Sequence, residues 1–312
     1  MEASLEQRLN ELERPTAHLR ELTGQTLPVR IYASRWFHRM LPAAIALRLA
    51  ALRGLLEWYL LPSRRLESIE LTRAIRGVAD ERGAPRRLVE DAVRAELQWR
   101  PWLYRGMPIE GLEHFEDARA HSDAGVILAN VHVGPFLGLV HALAARGVKL
   151  YLPGGKWGSP SVDGLHGRWI SAQNRWVEEA GCRWVPVGDL YPVLRALLER
   201  GEACVIAVDV PGRVEVELAG RPARVRSGIA RLALETGSPI LPIATLRRGW
   251  GQVGFIGEPI DPAGFDDPTT LTRQLVAVQS RVFLEESEQV HANAIDVWDD
   301  AAARLTRPKV GR

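Results

Sequence analysis

From Ala124 onward the sequence alternates short apolar runs with amphipathic stretches, and this alternation restricts the fold more than any other feature. The runs Val126–Val131, Leu150–Leu152, Arg183–Val187, Ala203–Ala207, Val214–Leu218, Ile240–Thr245 and Gln252–Ile256 are candidate strands. Helices are expected between them, over about Pro135–Ala145, His166–Ala180, Leu190–Arg200 and Ser227–Thr236. A further helix, Pro268–Ser287, is expected to cover the sheet. Strands separated by helices require crossover connections, and crossovers make neighbouring strands parallel. The expectation is therefore an α/β fold with a mostly parallel twisted sheet flanked by helices. Residues up to about Arg105 read differently: they are rich in Ala, Leu, Arg and Glu, are punctuated by Pro62, Pro85 and Pro101, and carry few strand signals. Residues 1–105 are expected to form an N-terminal helical layer on a core of residues 106–312, the two making one continuous structural unit.

Composition excludes several classes. Hydrophobic residues are 46% of the 312 and charged residues 25%, values that exclude a disordered, collagenous or coiled-coil chain. Cys182 and Cys204 are the only cysteines, too few for a disulfide framework or a four-cysteine zinc site. That usage suits a reducing, cytoplasmic setting. The net charge of +2 argues against non-specific nucleic-acid binding. Of the 40 basic residues only Lys149, Lys156 and Lys309 are lysine. Arginine is the side chain suited to bidentate grips on phosphate or carboxylate. Met1–Asn10 is charged and does not read as a signal peptide. Trp36–Leu61 is long and apolar, but Arg39, Arg48, Arg53 and Glu57 interrupt it. It is expected to form one or two amphipathic helices that face a core or lie in a membrane interface.

The chemistry is expected where strands end. In VILANVHVGPFLG, residues 126–138, an apolar strand is expected to end at Val131, with His132 in the turn and Gly134–Pro135 opening a helix. A histidine at that place is suited to general base catalysis, and backbone amides near Gly134 are candidates to hold an oxyanion. Other motifs are missing. LPGGKWGSP, residues 152–160, lacks the Ser or Thr that a phosphate loop needs after its lysine, and reads as a loop beside the site. No G-x-G-x-x-G follows a strand and no G-x-S-x-G is present, so neither a dinucleotide cofactor nor a hydrolase elbow is expected. The histidines lack metal-ligand spacing, so no metal and no cofactor are expected.

Three stretches resemble the bacterial lysophospholipid acyltransferase superfamily, most of all the lipid A lauroyl/myristoyl and phosphatidylinositol mannoside acyltransferases. They are VILANVHVGPF, then ALLERGEACVIAVDVPGR (residues 196–213), then LAGRPARVRSGIARLALETGSPILPIATLRR (residues 218–248). The third stretch is the most specific, matching at Gly220, Ala223, Gly228, Ala230, Leu232 and Ala233. The resemblance implies a glycerol-phosphate-acyltransferase-like fold. It also implies transfer of an acyl group from an acyl-thioester, on coenzyme A or a carrier protein, to a hydroxyl or amine of a lipid or small-molecule acceptor. His132 would be the base.

One departure stands out. The family pattern is H-x-x-x-x-D/E, with an acid five residues after the histidine, and here that position is Leu137. Two residues are candidates to stand in: His141 on the following helix, as a relay or as a packed core histidine, and Asp209, at the end of a neighbouring strand. Asp163 and His166 are further candidates. Arg175 falls near the family's anion-facing arginine, and Arg213, Arg224 and Arg226 precede a helix N-terminus that favours an anion. Trp99, Trp102, Trp157, Trp169, Trp176 and Trp184 are expected to line an acyl groove, sit at a membrane interface or pack between layers. Because of Leu137 two rivals stay open. One is a repurposed enzyme of specialised metabolism acting on a carrier-tethered or anionic intermediate by hydrolysis, cyclisation or displacement; the other is an inactive scaffold for a partner enzyme. The expected location is cytoplasmic, with peripheral contact to the inner face of the cell membrane as an option.

Overall fold

The computed structural model describes residues 5–12, 35–76, 81–154, 175–186 and 190–298. The helices are α1 (Leu5–Leu12), α2 (Arg35–Met40), α3 (Ala43–Leu60), α4 (Pro62–Arg76), α5 (Ala84–Gln98), α6 (Leu112–His121), α7 (Gly138–Ala144), α8 (Leu190–Glu199), α9 (Gly228–Thr236) and α10 (Pro268–Glu285). The strands are β1 (Ile109–Glu110), β2 (Val126–Asn130), β3 (Leu150–Gly154), β4 (Arg183–Pro186), β5 (Ala203–Ala207), β6 (Pro211–Leu218), β7 (Arg221–Val225), β8 (Ile240–Arg248) and β9 (Gly251–Ile256).

β2 is buried at every position, as a strand covered by helices on both faces must be. It pairs in parallel with β5 on one side and β8 on the other. The main sheet runs β1-β9-β8-β2-β5-β3-β4. β9 returns antiparallel to β8, and every other neighbouring pair is parallel. Alternation along β2 divides the core in two. Ile127 and Ala129 pack with α8, α9 and α10, while Val126 and Leu128 pack with α3, α5 and α7.

Two expectations are corrected. The run Val214–Leu218 is not part of the main sheet. It belongs to β6, which pairs antiparallel with β7 in a separate two-stranded sheet. Its alternating exposure, polar out and apolar in, is the mark of a strand with one wet face. The helix expected from Pro135 begins at Gly138 instead. Residues 131–137 form an irregular turn, closed by the Phe136 amide on the Gly134 carbonyl and the Gly138 amide on the Pro135 carbonyl. Of the expected helix His166–Ala180, residues 175–179 are helical and the part before them lies outside the described residues.

Trp36–Leu61 forms two helices, with Pro42 capping the second. α3 buries Ala46, Leu47, Ala50 and Gly54. A mid-helix glycine costs about 0.5–1 kcal/mol relative to alanine, so its use needs a reason. Here the reason is close approach: a Cβ at Gly54 would lie 2.5 Å from the Leu88 carbonyl oxygen of α5. Much of the rest of α3 is also apolar but uncovered, with Leu49, Leu52, Leu56 and Tyr59 exposed among Arg48, Arg53 and Glu57. Among the described residues no helix is long and apolar enough to cross a membrane. Gly54→Ala should force α3 off α5 and lower the unfolding free energy by about 1–3 kcal/mol, read from urea denaturation.

Candidate active site

In the parallel pairing of β2 with β5, Asn130 stands opposite Ala207. The ladder runs on past the strand ends, where the Val208 amide donates to the Asn130 carbonyl at 2.8 Å. Two residues beyond each strand end, the register brings His132 against Asp209. The Asp209 side chain is 1% exposed and that of His132 21%.

The carboxylate grips the histidine twice. The backbone N–H of His132 donates to Asp209 Oδ2 at 2.9 Å, and ring Nδ1 lies 2.8 Å from Oδ1. A carboxylate only accepts, so Nδ1 carries the hydrogen, and Nε2 is the free lone pair of the neutral ring. Burial pulls the imidazole pKa down, but the charge and hydrogen bond of Asp209 outweigh burial and the repulsion from Arg94, raising it above its ordinary value. Phe136 stacks on the ring with centroids 4.4 Å apart and planes 5° apart. The ring is thus fixed by a carboxylate at one nitrogen and an aromatic face along its plane.

Gly134 shapes this turn. Its φ of +58° lies in the left-handed region, and a Cβ would fall 2.2 Å from the Thr245 carbonyl oxygen of β8. The expectation that the amides beside Gly134 hold an oxyanion is corrected by their hydrogen bonds. The Gly134 amide donates to the Gln289 carbonyl at 2.9 Å, and the Phe136 amide is turned inward onto Gly134.

Leu137, in the place of the family's acid, is half-buried and packs with the cluster between the sheet, α5 and α7. His141 is buried on α7 and stacks on Tyr104 with centroids 5.8 Å apart, in the manner of a packed core histidine. Arg213, Arg224 and Arg226 are exposed on or beside the β6–β7 hairpin. Arg224 is 3.2 Å from Glu215, and Arg226 Nε donates to the Pro211 carbonyl. The Arg226 amide, bonded to the Val210 carbonyl at 3.1 Å, brings the hairpin's exit beside the Asp209 loop. Arg175 opens the helical residues 175–179, and its buried Nε finds no hydrogen-bond partner among the described residues. Asp163, His166, Trp157 and Trp169 lie outside the described residues. Trp99 and Trp176 pack edge to face in the interior.

Two neighbours of His132 carry no signal in the sequence. One is Phe136, indistinguishable there from any apolar turn residue. The other is His291, whose ring centroid is 5.9 Å from that of His132. Its Nε2 is 2.6 Å from the Gly134 carbonyl oxygen, to which it must donate. No local pattern announces a contact made across 157 residues.

The sequence profile of the bacterial lipid A biosynthesis acyltransferases matches residues 87–279, which include β2, His132, Asp209 and β8. The chain belongs to this family. Its members are acyltransferases, and the chain is an acyltransferase-like enzyme. Among solved structures it is similar to the 1-acyl-sn-glycerophosphate acyltransferase PlsC from Thermotoga maritima. Identity is 17%, the TM-score is 0.40, and the match covers 79% of this chain and 98% of that one. No curated protein matches the chain.

The pairing predicts a pH signature. With its folded pKa raised, His132 contributes stability that is fully present below the unfolded value and lost as pH rises through the folded value. In an NMR titration the His132 midpoint should therefore lie above the ordinary imidazole value of about 6.5 and fall in Asp209→Asn.

Proposed function

We propose that His132 is the general base of an acyl transfer from an acyl-thioester to a hydroxyl or amine, with Asp209 in the orienting role that the family gives to the residue at position 137. The observation that carries this reading is the double grip of the Asp209 carboxylate on the ring and the amide of His132. The bare Nε2 takes the proton of the acceptor as its oxygen or nitrogen attacks the thioester carbonyl. Asp209 stabilises the imidazolium that results, and the proton then passes to the departing thiolate. The net change is one carbon–sulfur bond broken and one ester or amide bond formed. The donor is an acyl-CoA or an acyl-carrier protein, and Arg226, beside the Asp209 loop, is the arginine best placed to meet its phosphate.

The acceptor is read as a lipid or a small molecule reached at a membrane surface, and the support is the uncovered face of α2 and α3. Trp36 and Tyr59 are 66% and 72% exposed there, with Met40, Leu49 and Leu52 between them. Contiguous apolar exposure on this scale marks an interaction surface. Exposed Arg39, Arg48 and Arg53 on the same helices complement an anionic bilayer. The enzyme would then sit peripherally on the inner face of the membrane.

Mass spectrometry with a panel of acyl-CoAs and acyl-carrier proteins, and with lysophospholipid and amine acceptors, tests the chemistry. Wild type should transfer or hydrolyse a thioester, His132→Ala should not, and Asp209→Asn should be slower by about 10³–10⁴-fold. Turnover that survives in His132→Ala removes the base assignment. Dependence on His132 without any thioester donor would point to a repurposed reaction. Separately, the protein should sediment with vesicles containing anionic phospholipid, and Leu49→Glu with Leu52→Glu should abolish that while leaving the fold intact. Equal sedimentation of the variant would exclude the α3 face as the contact.

A further inference from the structure

The turn that carries His132 is held by a second chain segment. Val133 and Val290 form an isolated antiparallel bridge, flanked by the Gly134 amide on the Gln289 carbonyl and the His291 amide on the His132 carbonyl at 2.8 Å. The carbonyl of the histidine itself is therefore an acceptor in this ladder. The His291 ring adds a third tie through Nε2 to the Gly134 carbonyl.

The segment is in turn fixed from behind. Arg87 of α5 is 1% exposed and donates to the Val290 carbonyl at 2.7 Å, to the Ser287 carbonyl and to Thr72 Oγ1. Burial pushes its guanidinium pKa down to about 10. An arginine buried on main-chain carbonyls rather than on a carboxylate is an expensive arrangement, kept where the position of those carbonyls matters. The Gln289 amide clips the segment to β8, accepting from the Arg247 amide at 2.8 Å and donating to the Arg247 carbonyl at 3.1 Å.

All of these residues from Ser287 onward lie beyond the part of the chain that the family profile matches. We propose that Ser287–His291 is a positioning strap for the catalytic turn, and that His291, through its ring N–H on the Gly134 carbonyl, is a positioning residue for His132. The positioning role rests on the proposed role of His132 as base; the contacts of the strap do not. Gly134 is in the left-handed region and joins the His132 turn to Phe136, so holding its carbonyl sets both the base and the ring stacked on it. His291 is suited to the task because it stays neutral. Burial, then Arg94 of α5 and His132, hold its pKa well below the ordinary value, against the pull of the Gly134 hydrogen bond. It therefore adds no charge beside the imidazolium that forms on His132.

The test compares His291→Leu, which removes the donor, with His291→Gln, whose amide nitrogen can reach the same carbonyl. The Leu variant should lose about 10–100-fold in kcat with KM changed by less than about threefold, because a base misplaced by about 1 Å costs that much. The Gln variant should recover most of the loss. In the substrate-free protein the Nδ1–H signal of His132, deshielded by Asp209, should shift or broaden in the Leu variant and return in the Gln variant. Equal behaviour of Leu and Gln, or an unmoved His132 signal in the Leu variant, overturns the proposal. Should the Leu variant fail to fold, Gln289→Ala loosens the same strap at its β8 end and should move the same signal; an unmoved signal again overturns it. The NMR reading needs no substrate, so it stands or falls separately from the acyl-transfer assignment.

Discussion

The site depends on the register of one parallel strand pair. β2 and β5 lie side by side with Asn130 opposite Ala207, and each chain continues by two residues before turning away. That offset alone brings a base and a carboxylate together from separate strand–helix units. A slip of one residue would turn every side chain of β2 to the wrong face and separate His132 from Asp209. What prevents the slip is the core. Ile127 and Ala129 are committed to one helical layer and Val126 and Leu128 to the other, so no shift of register leaves both layers filled.

Much of this was legible in the sequence. The α/β alternation and the strands around His132 and Asp209 follow from apolar runs and punctuating glycines, and the resemblance named acyl transfer as the general chemistry. Leu137 was legible as a departure, and Asp209 as one of four residues, with His141, Asp163 and His166, that could stand in for the missing acid. What the sequence hid was non-local. The β6–β7 hairpin reads as an apolar run like the others, and only its pairing shows that it leaves the main sheet. The helix after His132 starts three residues later than Pro135 suggests, because residues 131–137 answer to Gln289 and His291 rather than to helix propensity. His291 itself lies in a stretch with no motif.

Moving the carboxylate from the helix after His132 to the neighbouring strand also changes what position 137 has to be. An acid there must face the histidine, and it leaves a polar group at the edge of the core. Leucine instead packs among the side chains between the sheet, α5 and α7. The turn exchanges a local electrostatic contact for packing, and the electrostatic partner is supplied by Asp209, whose second oxygen also satisfies the backbone amide of His132. Both oxygens of the buried Asp209 carboxylate are thereby answered, as a site at the edge of a dry core requires.

The double tethering of the turn has a consequence for how the chain acquires reactivity. His132 and Asp209 are 77 residues apart, and the Gly134–His291 bond closes a span of 157 residues. Contacts of such separation form late, after the entropy of closing long loops has been met. A nascent or partly unfolded chain therefore carries His132 as an ordinary imidazole with no fixed tautomer. The ring with its tautomer fixed by Asp209 exists only once the central strands have paired and the last segment has closed over the turn. Assembly of the sheet is thus itself the step that orients the His132 ring, and local opening of the 287–291 segment would free the turn before the fold is lost.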